Sequence, residues 1–93
     1  MSNNKYKILI VEDAANTRSF IKANLETSDY QVICAESCTL GIMMYASHHP
    51  DLIIVDLGLP DRDGLDLIQE VRESDTVPII VLSARSNERD KVT

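Results

Sequence analysis

Short runs of consecutive apolar residues constrain most strongly how this chain can fold. They lie at 8–11, 52–55 and 79–82, and none of them alternates with polar residues. Strands that are apolar on both faces are typical of a parallel sheet covered by helices on both sides. A fourth, more mixed run occupies 32–35, and each interval between runs is long enough for one helix. The pattern therefore predicts an α/β fold built from βα repeats.

The intervals between the runs carry helical patterns. The predicted inner faces consist of Thr17, Phe20, Ile21 and Leu25 in the first helix and of Leu65, Ile68 and Val71 in the third. Ser37 is predicted to cap the second helix, with Met43 and Met44 pointing outward. The turn 61–64 has acids and a glycine suited to a helix start, so we interpret it as structural. A fourth helix is expected to begin near Asn87.

The order of the strands follows from the handedness of their connections. Crossovers between parallel strands are right-handed, so helices on both faces require the strand order to reverse. With the mixed run 32–35 at the edge, the predicted order is 2-1-3-4. Strands one and three then flank a crevice at their carboxyl ends, where ligands bind in open α/β sheets.

Acidic residues lie at this predicted crevice. Glu12 and Asp13 follow the first run, and Asp56 closes the third. Three neighbouring carboxylates repel one another unless a cation enters, and Mg²⁺ suits a site made of oxygen ligands. The alternative for Glu12 and Asp13 is a solvated strand end that caps the next helix.

Composition limits the classes of function. The 93 residues suffice for one small domain, and the net charge of −6 disfavours nonspecific binding to nucleic acid. The longest apolar run is too short to span a bilayer, and the amino terminus has no signal-peptide pattern, so we expect a cytoplasmic protein. The two cysteines, Cys34 and Cys38, are expected to be reduced thiols.

Three segments carry a family resemblance: 8–13, 50–64 and 77–85. In the identity of their residues, and in their order and spacing, they resemble the receiver domain of two-component response regulators. The Asp56 loop and the segment around Ser83 are similar to the Kdp-type potassium-transport regulators of the winged-helix OmpR/PhoB class. The resemblance implies a flavodoxin-like parallel sheet with a Mg²⁺ cofactor, and a signalling domain capable at most of its own phosphotransfer and dephosphorylation.

The resemblance also implies roles for individual residues. Asp56 would accept a phosphoryl group from a sensor histidine kinase. The implied metal ligands are Asp13, Asp56, the Gly58 carbonyl and, mainly through water, Glu12. Ser83 would be the switch hydroxyl, and the backbone of Ala84 would lie beside the phosphoryl group.

The family pattern includes parts that have no counterpart in 1–93. A fifth strand with its preceding lysine and a fifth helix are missing, so we expect an incomplete receiver domain. DNA would be contacted, and transcription controlled, only through an absent carboxyl-terminal domain. The run 79–82 would then form an exposed edge through which the chain forms homo-oligomers.

Two other classes of function use a related topology. An aspartate-dependent Mg²⁺ phosphohydrolase would need a second aspartate two residues after the nucleophile, where Gly58 stands. A flavin-binding module would need a phosphate-binding loop after the first strand, where Glu12 and Asp13 would repel a phosphate.

Overall fold

The computed structural model describes residues 6–82, which form a parallel sheet with helices on both faces. The elements are β1 (Lys7–Val11), α1 (Ala15–Thr27), β2 (Gln31–Ala35), α2 (Cys38–His48), β3 (Leu52–Asp56), α3 (Gly64–Arg72) and β4 (Ile79–Leu82). The predicted alternation of strands and helices is confirmed. Ser83, Ala84 and the helix predicted near Asn87 lie outside the described residues.

The sheet has the order β2-β1-β3-β4, and every neighbouring pair is parallel. This is the predicted order, with β2 at one edge. Val11 lies beside Val55 in the register of β1 and β3. The next residues of the two strands, Glu12 and Asp56, therefore reach the same end of the sheet.

The central strands are buried on both faces, as their unbroken apolar runs predict. Leu9 and Val11 face one layer, where they pack with Leu67 and Val71 of α3. Ile8 and Ile10 face the other layer, which α1 covers. Burying one such side chain contributes roughly 1.5–3 kcal/mol, so these two clusters hold the strand ends in place.

The predicted inner face of α1 is wrong for two residues. Phe20 is 71% exposed and Thr17 is also exposed, whereas Ile21 and Leu25 are half-buried and pack on the sheet. The Arg18 guanidinium donates a hydrogen bond to the carbonyl of Glu12 at 2.7 Å. Arg18, Ile21 and Leu25 therefore lie on the stripe that faces the sheet, and Phe20 lies outside it.

The face of α3 also differs from the prediction. Leu65 is 52% exposed, while Leu67 and Val71 are fully buried and Ile68 is half-buried. Leu67 and Val71 are four residues apart, so they lie on one helical stripe, and Leu65 falls outside it.

The predictions for α2 are confirmed in part. The Ser37 hydroxyl accepts a hydrogen bond from the Leu40 amide at 3.2 Å, so the predicted cap is present. Met43 is exposed as expected, but Met44 is half-buried and packs against the core. Within residues 6–82 no helix has the length and apolar character needed to cross a membrane.

Candidate functional site

Three carboxylates meet at the carboxyl end of the sheet. Within the described part of the chain, oxygens of Glu12, Asp13 and Asp56 all lie within 4.8 Å of one another. Glu12 is 4% exposed and Asp56 is 3% exposed, and Asp13 is half-buried. The structure thus brings together the acids that the sequence placed at the crevice. Such burial of charge is unusual unless it is compensated.

The start of α1 holds Glu12 in place. The Ala14 amide donates to Glu12 Oε2 at 2.9 Å, and the Glu12 amide donates to the carbonyl of Ala35 at 3.0 Å. Arg18 binds the Glu12 carbonyl from the next turn of the helix. The amino end of a helix also carries a partial positive charge. Glu12 is therefore fixed by its neighbours on both β2 and α1.

Asp56 is held by the turn that follows it. The Gly58 amide donates to Asp56 Oδ1 at 3.1 Å, and the Gly64 amide donates to the carbonyl of Leu57 at 3.1 Å. A Cβ added at Gly64 would lie 2.6 Å from the backbone carbonyl oxygen of Asp56. Gly64 is thus required by close packing against the end of β3.

The β3–α3 loop, residues 57–63, has a second attachment at Asp61. Its carboxylate accepts hydrogen bonds from the Cys38 amide at 2.8 Å and from the Thr39 amide at 2.9 Å. These hydrogen bonds, led by that from Thr39, hold the pKa of Asp61 well below its usual range. The other acid of the turn, Asp63, accepts from the Leu65 amide at 3.0 Å and caps α3.

Sequence reasoning missed the role of Asp61. It assigned the whole turn 61–64 to the start of α3, which holds for Asp63 and Gly64. The partners of Asp61 lie 22 and 23 residues away, at the start of α2. Local patterns carry no signal for a cap supplied from so far along the chain.

The chemistry of the cluster suits a small, hard cation. At an effective dielectric constant of about 20, two ionised carboxylates about 5 Å apart repel by roughly 3 kcal/mol. A divalent cation replaces this repulsion by attraction, and Mg²⁺ prefers oxygen ligands. The donors here are all carboxylate oxygens, so they fit Mg²⁺. Gly58, predicted to add a carbonyl ligand, is exposed beside Asp56.

Comparison with known proteins identifies clear relatives. Residues 8–93 match the family described as response regulator receiver domain. The KDP operon transcriptional regulatory protein KdpE of Escherichia coli K12 is 48% identical over 85 residues, which is 91% of this chain and 38% of that protein. The virulence transcriptional regulatory protein PhoP of Salmonella typhimurium 14028s is 46% identical over 87 residues, which is 92% of this chain and 39% of that protein.

A solved receiver domain has a similar fold. The receiver domain of the Francisella response regulator 1452 superposes with a TM-score of 0.81 at 26% identity, over 86% of this chain and 67% of that one. The chain spans less than two fifths of the length of KdpE and of PhoP.

Proposed function

Because this chain belongs to the response regulator receiver domain family, we propose that it accepts a phosphoryl group on Asp56 from a sensor histidine kinase. The observation that carries this proposal is the position of Asp56: buried at the carboxyl end of β3, within 4.8 Å of two further carboxylates. The relatives KdpE and PhoP are transcriptional regulatory proteins. We therefore assign residues 1–93 to the receiver domain of a transcriptional regulator that contacts DNA through a separate domain.

The carboxylate cluster would hold Mg²⁺ with some ligands bound directly and one bound through water. Two oxygens bound directly to one Mg²⁺ lie at most about 4.2 Å apart, because each bond is about 2.1 Å long. A set of oxygens within 4.8 Å of one another is compact enough to surround one ion, with its carboxylates bound directly or through water. We assign direct binding to Asp13, Asp56 and the Gly58 carbonyl, and binding through water to Glu12. An ion held there would supply charge neutralisation for the carboxylates and for the incoming phosphoryl oxygens.

The protein's own residues carry the transfer itself. A carboxylate oxygen of Asp56 attacks the phosphorus of the phosphohistidine, the P–N bond breaks, and its electron pair returns to the imidazole. The product is an acyl phosphate on Asp56. The Gly58 amide, which donates to Asp56 Oδ1, orients the carboxylate for this attack.

The switch roles are assigned to the residues that follow β4. Leu82 is the register partner of Asp56, and Ser83 and Ala84 come next in the chain. We propose that the Ser83 hydroxyl donates to a phosphoryl oxygen and that the Ala84 backbone lies beside it. A new hydrogen bond of this kind couples a local change of charge to the surrounding surface.

Incubation with acetyl phosphate and Mg²⁺ tests the proposed function. We expect one phosphoryl group per chain, located on Asp56 by mass spectrometry.

Asp13→Asn is expected to weaken Mg²⁺ binding by about tenfold or more, because it removes a charged ligand. The control is Asp29→Asn, which makes the same charge change in an exposed residue whose φ of 71° asparagine tolerates. Absence of modification would contradict the proposal, and turnover of many phosphoesters per chain would indicate a hydrolase instead.

We also propose that the 93-residue chain self-associates through β4. Within residues 6–82 β4 pairs with β3 alone, and its Ile80 and Val81 are 49% and 42% exposed. An unpaired edge with apolar side chains is a template for another strand. We expect size-exclusion chromatography to show a mass that rises with concentration, and Ile80→Lys to suppress this rise. The control is Phe20→Lys, which makes a similar change at an apolar position on α1 that is 71% exposed. A monomer at every concentration would contradict the proposal.

A further inference from the structure

Asp61 joins two parts of the molecule that are distant in sequence. Its two carboxylate oxygens accept hydrogen bonds from successive amides, those of Cys38 and Thr39, in the first turn of α2. A second link runs in parallel, since the Cys38 thiol lies 3.7 Å from the carbonyl of Asp63 and donates to it. We infer that Asp61 is a positioning residue that fastens the β3–α3 loop, and with it Gly58, to α2. This inference rests on the proposed function of Asp56.

The rigid partner in this contact is α2. Cys38 and Gly41 are buried, and a Cβ on Gly41 would lie 2.9 Å from both Leu67 and Val11, so α2 packs closely on α3 and β1. The helix also has its own cap in Ser37, which binds the Leu40 amide. Asp61 binds the two preceding amides, those of Cys38 and Thr39, and the close packing of α2 makes this helix end a fixed anchor for the loop.

The β3–α3 loop is the part of the molecule that the Asp61 contact restrains. Gly58, Pro60 and Asp61 are exposed, and Leu59 is half-buried against the core. Between the end of β3 and the start of α3, the packing of Leu59 and the Asp61 carboxylate both restrain the middle of the loop. Charge-assisted hydrogen bonds to backbone amides are among the stronger polar contacts in proteins.

Loosening the loop would act on metal binding and leave the nucleophile in place. Gly58 lies three residues before Asp61, and its proposed carbonyl ligand depends on the path of the loop. Asp56 is held separately, by β3 and by the packing of Gly64 against its carbonyl. Replacing a group that orients a metal ligand typically costs 10–100-fold in affinity. Since Asp61 acts through the loop, we expect the lower end of that range.

The experiment compares Asp61→Ala, which removes both acceptors, with Asp61→Asn, which keeps one. The control is Asp66→Ala, which removes the same charge from the first turn of α3 and breaks an exposed ion pair with Arg62, while both hydrogen bonds of Asp61 to α2 remain. Without Mg²⁺, we expect the amide resonances of Cys38, Thr39 and Gly58 to shift in both Asp61 variants. With Mg²⁺, we expect the dissociation constant to rise about tenfold for Asp61→Ala and less for Asp61→Asn. Phosphorylation by acetyl phosphate at saturating Mg²⁺ should remain close to wild type.

The inference is overturned if Asp61→Ala lowers the melting temperature but leaves the Gly58 resonance and the Mg²⁺ dissociation constant as Asp66→Ala leaves them. Asp61 would then be a structural cap only. If Asp61→Ala does not fold, the Gly58 resonance and the Mg²⁺ dissociation constant of Asp61→Asn test the inference instead. A wild-type chain that binds Mg²⁺ without being phosphorylated would instead reject the proposed function, and the comparison of dissociation constants would still judge Asp61.

Discussion

Asp56→Asn is expected to abolish phosphorylation by acetyl phosphate and to weaken Mg²⁺ binding by about tenfold or more. The amide is nearly isosteric, and its oxygen can still accept the hydrogen bond that the Gly58 amide donates to Asp56 Oδ1. It carries no negative charge, however, and so is neither a competent nucleophile nor a strong metal ligand. Intact mass and isothermal titration calorimetry measure the two effects.

The same substitution is expected to stabilise the chain when no metal is present. Asp56 lies within 4.8 Å of Glu12 and Asp13, and each ionised pair at such a distance is repulsive by roughly 3 kcal/mol. Allowing for weaker hydrogen bonding, we expect the free energy of unfolding to rise by about 1–3 kcal/mol in chelator. Added Mg²⁺ should stabilise wild type more than the variant. Asp29→Asn serves as control, and a variant that is phosphorylated, or that binds Mg²⁺ like wild type, would contradict the assignment of Asp56.

Gly64→Ala is expected to impair both stability and the site. The new Cβ would lie 2.6 Å from the carbonyl oxygen of Asp56 and 2.9 Å from Cα of Leu57, and backbone atoms cannot rotate away as a side chain can. Overpacking of this kind costs about 1–3 kcal/mol, which exceeds the gain of at most about 1 kcal/mol from helix propensity. Displacement of Asp56 should also raise the Mg²⁺ dissociation constant. Urea unfolding and calorimetry test the two parts.

Gly41→Ala is the matched control for Gly64. Its Cβ would also be too close to its neighbours, at 2.9 Å from Leu67 Cδ1 and from Val11 Cγ2, but these are side-chain atoms in the core. We expect Gly41→Ala to lose stability while the Mg²⁺ dissociation constant of the folded protein stays near wild type. Equal dissociation constants for the two variants would show that Gly64 does not act on the site through the end of β3.

Much of the fold could be predicted because it depends on local chemistry. The apolar runs of β1 and β3 predicted buried strands, and the handedness of their connections predicted the order that the sheet adopts. The helix faces were less predictable. Phe20 and Leu65 have spacings that fit an inner stripe, yet both are more than half exposed. The rotation of each helix depends on what it packs against, and periodicity alone does not contain that information.

The candidate site, like the fold, could be predicted from the sequence only in part. That Glu12, Asp13 and Asp56 meet was determined by the sequence, because each ends or follows a buried strand and parallel strands end at one edge. Only the tertiary structure decided how the site is held: the carbonyl of Asp56 packs against Gly64, and Asp61 binds the amides of Cys38 and Thr39. The physical reason is the distance along the chain over which each interaction acts. Strand formation and charge depend on neighbouring residues and can be predicted from them. Close packing, and capping between residues 22 positions apart, form only once the chain has folded.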